Sequence, residues 1–172
     1  MNESLISKSE YNSYYQTYID KVNSGISVVE SLKKNLDVVV SFYSGIPKAK
    51  HDFSYAEGKW TVKDVLLHVI DTERIFAYRA LRIARFDGTA LPGFEHNDYV
   101  EAASANHRTF TSLVEEYKSV REATITLFSS FSSEALLQIG EASGFPISVR
   151  AIGFIIVGHD HHHAQIIKER YL

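Results

Sequence analysis

The chain contains no cysteine. That removes disulfides, thiolate metal ligands and a cysteine nucleophile together, and it fits a reducing cytoplasm. Proline is scarce, occurring at positions 47, 92 and 146, so long uninterrupted helices are allowed. A basic excess is lacking as well: 18 Lys and Arg stand against 21 Asp and Glu, a net charge of −3. A nucleic-acid-binding surface needs cations that displace condensed counterions, so that class is disfavoured. The longest apolar run, Ile152 to Val157, falls far short of the ~20 residues that cross a bilayer. Met1 to Glu10 is polar, with no apolar stretch behind a basic start, so no signal peptide is expected. Internal repeats, low-complexity tracts and the glycine-rich nucleotide-binding motifs are missing too.

What remains is an ordinary globular composition, 45% hydrophobic and 23% charged over 172 residues. This suits a single domain, residues 1–172, in the cytoplasm, with no nucleic-acid or membrane partner. Tyr11, Tyr14, Tyr15 and Tyr18 recur at helical spacing in a first short segment, 10–20, and Asn23-Ser24-Gly25 reads as a turn. A long helix is expected from Ser27 to Tyr43. A second opens on the capping form Thr61-Val62-Lys63-Asp64 and runs to Arg85. A third is expected from Asp98 to Phe131. A short turn through Leu137 and a loop from Gly140 to Ile147 follow. Ser148 then caps a last helix that reaches Arg170. The expected fold is all-α, an up-down four-helix bundle with a short N-terminal helix.

Four of the eight histidines fall in His159-Asp160-His161-His162-His163. The run is broken by Asp160 and continues a helical pattern on both sides, unlike an affinity tag. Ile152, Ile156, His159, His163, Ile166 and Arg170 form one helix face. His159 and His163 therefore sit on an apolar stripe, about 40° apart around the axis and about 6 Å along it. Two imidazoles so placed can grip one metal ion. The plain alternative is a pair of core histidines satisfied by hydrogen bonds. His161 points elsewhere, and His162 could share the inward face. Periodicity does not name a third ligand. His68, in Leu66-Leu67-His68-Val69-Ile70, is the best candidate; His51, His96 and His107 lie in more polar surroundings.

Trp60-Thr61-Val62-Lys63-Asp64 leading to His68, then Asp71-Thr72-Glu73-Arg74, resembles the W-[ST]-x-x-[ED]-x-x-x-H-x-x-D opening of DinB-like proteins. Tyr78-Arg79-Ala80-Leu81-Arg82 with Leu91-Pro92-Gly93-Phe94 resembles one subgroup. Gly158-His159-Asp160-His161-His162-His163 is similar to the family's closing G-H-x-x-H-H, about ninety positions after the first motif. His96 departs from the pattern, where an acidic or polar residue is more usual. The resemblance covers residues 12–172. It implies a bundle of DinB-like topology and one divalent ion on His68, His159 and His163. Zinc or nickel leads, with iron or manganese allowed by the same ligands.

The resemblance further implies a metal-dependent thiol transferase or hydrolase acting on a small-molecule substrate. Any low-molecular-weight thiol would enter as a cosubstrate, because the chain has none. Three neutral imidazoles leave the ion's charge in place and a position open, which favours hydroxide or thiolate near neutral pH. Asp71, one turn from His68, is a candidate orienting group, or else a surface carboxylate. Arg79 and Arg82, with Arg85, either complement the helix C-terminus or hold an anionic substrate. Tyr78 is either core or a polar handle in the pocket. The other readings are a non-catalytic metal-binding or stress-response protein and a metal-free interaction module. A homodimer is expected from the family habit and the aromatic N-terminal segment.

Overall fold

The computed structural model of the protein describes residues 6–22 and 25–172. The turn expected at Asn23 and Ser24 and the first five residues lie outside this range. Four long helices carry the fold: α2 (Val28–Ser44), α3 (Val62–Ala84), α5 (Phe110–Ser129) and α7 (Val149–Arg170). Each starts where a hydroxyl side chain satisfies an otherwise unpaired backbone N–H: Ser27, Thr61, Thr109 and Ser148 all cap. At Thr61 the capping box with Asp64 is complete. Helix α3 packs on α5 and α7, and α2 packs on the same two. The ring order is thus α2–α5–α3–α7, with the consecutive helices α2 and α3 diagonal to one another. The long connection 45–61 makes that crossing feasible. No helix among the described residues is long and apolar enough to cross a membrane.

Two expectations are corrected, and the short N-terminal helix is present over a shorter span than expected. The third helix is not continuous. It divides into α4 (His96–Ala103) and α5, because Ser104 adopts a left-handed backbone (φ 49°) and Thr109 caps afresh. The loop 140–147 is a hairpin of β1 (Ile139–Ala142) and β2 (Phe145–Ser148), following the short α6 (Ser133–Leu137). Its two-residue turn, Ser143-Gly144, has φ of 55° and 80°, the positive values that match the twist of paired strands. The N-terminal segment forms two 3-10 turns, Lys8–Glu10 and Ser13–Tyr15, and only one α-turn, α1 (Gln16–Ile19). Ser7 and Asn12 each bond a nearby backbone N–H, a local alternative that competes with a continuous helix. Tyr11 is buried, and Tyr15 and Tyr18 pack against the core. Tyr14, at 64% exposure, is the tyrosine of this segment left most open to solvent.

Two apolar clusters fill the bundle. One joins the first half of α7 to Phe76, Ala80 and Ile83 of α3, Phe128 and the hairpin. The other joins Val65, Leu66 and Ile70 of α3 to Val39, Leu113 and Ile167. Between them runs a belt of buried polar residues contributed by all four helices: Ser31 and Asn35, His68, Thr72 and Glu73, Arg121 and Thr124, and His159, Asp160 and His163. The chemistry of the molecule lies in this belt.

Candidate metal centre and adjoining cavity

Helix α3 supplies His68 and α7 supplies His159 and His163, all buried. Packing of α3 against α7 brings the three rings to one point. The Nε2 atom of His159 lies 3.2 Å from that of His68 and 3.0 Å from that of His163. One ligand atom from each ring fits within 4.8 Å of the others. Imidazole nitrogens bound at about 2.0–2.1 Å to a tetrahedral ion lie roughly 3.3 Å apart, so the spacing suits a metal without rearrangement. Burial drives all three rings toward the neutral form that ligates. It lowers His68, with His96 adding to the effect, to about 3. Burial and the neighbouring His163 hold His159 well below the ordinary value, and burial and His68 do the same for His163.

The surroundings fix the rings. Trp60 lies 4.8 Å from His68, and Tyr18 meets His159 edge-on at 5.4 Å. His96 approaches His68 at 5.1 Å and Phe94 at 4.5 Å. His162 leans on Tyr18 at the half-buried rim, and His161 faces α2 on the far side of the helix. The N-terminal segment reaches α7 because position 158 is glycine. A Cβ there would stand 2.1 Å from the carbonyl oxygen of Tyr18.

A cavity of about 200 Å³ adjoins His159 and His96. Its walls are Tyr15, Tyr18 and Phe76, the Gly93–Phe94 loop, and the polar side chains of Thr72, Glu73, Arg79 and Asp160. The hairpin holds the loop in place: Leu91 N–H donates to Glu141 O, and Ser143 N–H donates to Leu91 O, each at 2.9 Å. Arg79 reaches across to donate to Pro92 O at 2.7 Å and Ser143 Oγ at 3.2 Å. The other sequence candidates lie elsewhere. Arg82 is bonded to Asp87 and, at 2.6 Å, to Tyr78 Oη, away from the cavity. Tyr78 is exposed, neither core nor pocket. Arg85 sits over the ring of Phe131. Asp71 borders a small separate cleft with His68 and lies 3.6 Å from Arg74.

An ionic network next to the histidines escaped the sequence reading. Arg121 donates to both oxygens of Glu73, at 2.8 and 2.9 Å, and to Asp160 Oδ2 at 2.6 Å. The same oxygen accepts from Tyr117 at 3.0 Å and from Asn35. All of these side chains are buried. A signal existed: Glu73, Arg121 and Asp160 each interrupt an apolar stripe at helical spacing, as with Leu113, Tyr117, Arg121 and Phe128 on α5.

The sequence model of the DinB superfamily matches residues 31–167. No curated protein sequence matches the chain. The fold resembles YfiT from Bacillus subtilis, described as a probable metal-dependent hydrolase with an unusual four-helix bundle topology. The TM-score is 0.69 at 16% identity, over 97% of this chain and 91% of that one. It also resembles a mycothiol-dependent maleylpyruvate isomerase, with a TM-score of 0.66 at 13% identity, over 80% of this chain and 58% of that one. Its four long helices, the three converged histidines and the family match over most of its length agree: the chain belongs to the DinB superfamily.

Proposed function

We propose that this protein is a metal-dependent enzyme of thiol-transferase or hydrolase type, acting on a small molecule in the cytoplasm. One divalent ion, zinc or nickel, would sit on His68, His159 and His163. The observation that carries the reading is the conjunction of three converged, buried, neutral imidazoles with a cavity of about 200 Å³ that reaches His159. A non-catalytic storage site has no need of such a cavity. When bound, the ion lowers the pKa of a coordinated water or thiol and so supplies an anionic nucleophile near neutral pH. The chain's own residues do the rest. The imidazoles bind as neutral donors and leave the charge of the site intact. Trp60 and Tyr18 fix the rings and exclude water. With no cysteine in the chain, a thiol reaction requires a thiol cosubstrate.

Elemental analysis of the tag-free protein, dialysed against zinc or nickel and then against buffer without chelator, tests the metal. About one ion per chain is expected, and a value near zero removes the reading. Assay of the loaded protein with several small thiols and a reporter electrophile, or with ester and amide substrates, tests the enzyme. Activity unchanged in His163→Ala would disconnect the reaction from the site.

A further inference from the structure

Arg79 is 2% exposed, yet no carboxylate among the described residues pairs with it. Its guanidinium meets neutral groups: the carbonyl of Pro92, the hydroxyl of Ser143 and the Tyr15 phenol. Nearby Arg121 shows the usual arrangement, with two carboxylates around one buried arginine. A buried cation left without an anion is costly, and Arg79 borders the cavity beside the histidines. Thr72, 6% exposed, lines the same cavity, and its Oγ1 has no hydrogen-bond partner among the described residues. The rest of the wall near Arg79 is aromatic. Its guanidinium lies 5.1 Å from the ring of Phe76 and 5.8 Å from that of Phe94, and Phe94 in turn touches His96.

We propose that the cavity binds a small molecule bearing a carboxylate on a flat apolar body, with Arg79 holding the carboxylate and the body lying between Phe76, Phe94 and Tyr15 toward the histidines. A carboxylate matches the planar fork of a guanidinium. A single unpaired cation calls for a monoanion. Without the ion, Glu73 and Asp160, at the histidine end of the wall, carry more negative charge than Arg121 offsets, which turns the carboxylate toward Arg79 and disfavours a phosphate dianion; with the ion bound, the hold of Arg79 rests on its buried, unpaired fork alone. This names the substrate class for the pocket proposed above and rests on that reading of the cavity, though not on the presence of the ion.

Calorimetric titration at pH 7.5 with 3-phenylpropionate, 3-phenylpropanol and acetate tests it, on metal-loaded and on chelator-treated protein. The aryl acid is expected to bind both forms, and to bind much more tightly than the alcohol or acetate. Arg79→Gln should weaken it by about thirtyfold or more, the usual cost of removing one partner of a buried charge pair, while Arg79→Lys keeps part of the affinity. Equal binding of acid and alcohol by the wild type overturns the proposal without recourse to any variant, and so does the absence of acid binding at millimolar concentration. Binding to the chelator-treated protein upholds the anion site even if the metal analysis fails.

Discussion

At the scale of single residues, the histidine cluster divides by direction. His159 and His163 converge with His68, while His161, on the same helix, faces α2. His159→Ala and His163→Ala are each expected to abolish tight metal binding, and His161→Ala to leave it within about threefold, since it removes no ligand. Titration of the three variants with zinc checks this; equal losses would mean that the ligands are not those that converge. The ligand pair was legible in the sequence because a helix repeats its faces, and two polar residues in an aliphatic stripe stand out. The third ligand needed the family resemblance, since α3 is apolar on more than one side. The partners of Asp160 were not legible. Arg121 lies 39 residues away and Asn35 125 residues away, and periodicity reports which way a residue faces, not what it meets. Arg79 and Arg82 show the same limit. Their spacing looks equivalent, yet one is buried beside the cavity and the other is bonded to Asp87.

Among the elements, the wall built by the N-terminal segment depends on one close approach. Gly158 lets the backbone of Tyr18 touch α7, and Lys21 adds a bond to Gln165 at 2.6 Å. Gly158→Ala forces a methyl group into that carbonyl and should cost about 1–3 kcal/mol, as overpacking does. It should also loosen the segment. Denaturant unfolding and the rate of tryptic cleavage after Lys21 measure the two effects; a variant unchanged in both would show that the segment yields without penalty. The four long helices and their starts were readable because caps and stripes are local signals. The division between α4 and α5 was not, because it turns on a left-handed serine, a conformation that residue type does not announce. The hairpin was missed for a related reason. Its strands are four residues each and docked on Ile83 and Leu91, so tertiary contact rather than alternation defines them.

For the whole molecule, the buried histidines tie stability to pH. Between pH 6.5 and about 3 the unfolded chain protonates an imidazole that native His68 keeps neutral. His159 and His163 are lowered for the same reason of burial. The unfolded state then binds more protons, so stability falls on acidification. Asp160 opposes this: burial pushes its carboxyl from 3.8 up to about 6, so over that interval the native state takes up the proton first. Asp71 is raised too, by burial, while burial also lowers His96, His161 and His162, so the imidazoles outnumber the carboxyls and the net effect is loss. The urea midpoint of chelator-treated protein should be lower at pH 5 than at pH 7; an equal or higher midpoint at pH 5 would refute the balance. The belt that holds these groups separates two apolar clusters, each packed on its own. Whatever fills the belt therefore acts as a keystone. An ion or substrate seated there is gripped by helices that reach into both halves, so occupancy at the centre is felt as firmness at either end of the bundle, through binding linkage rather than any moving part.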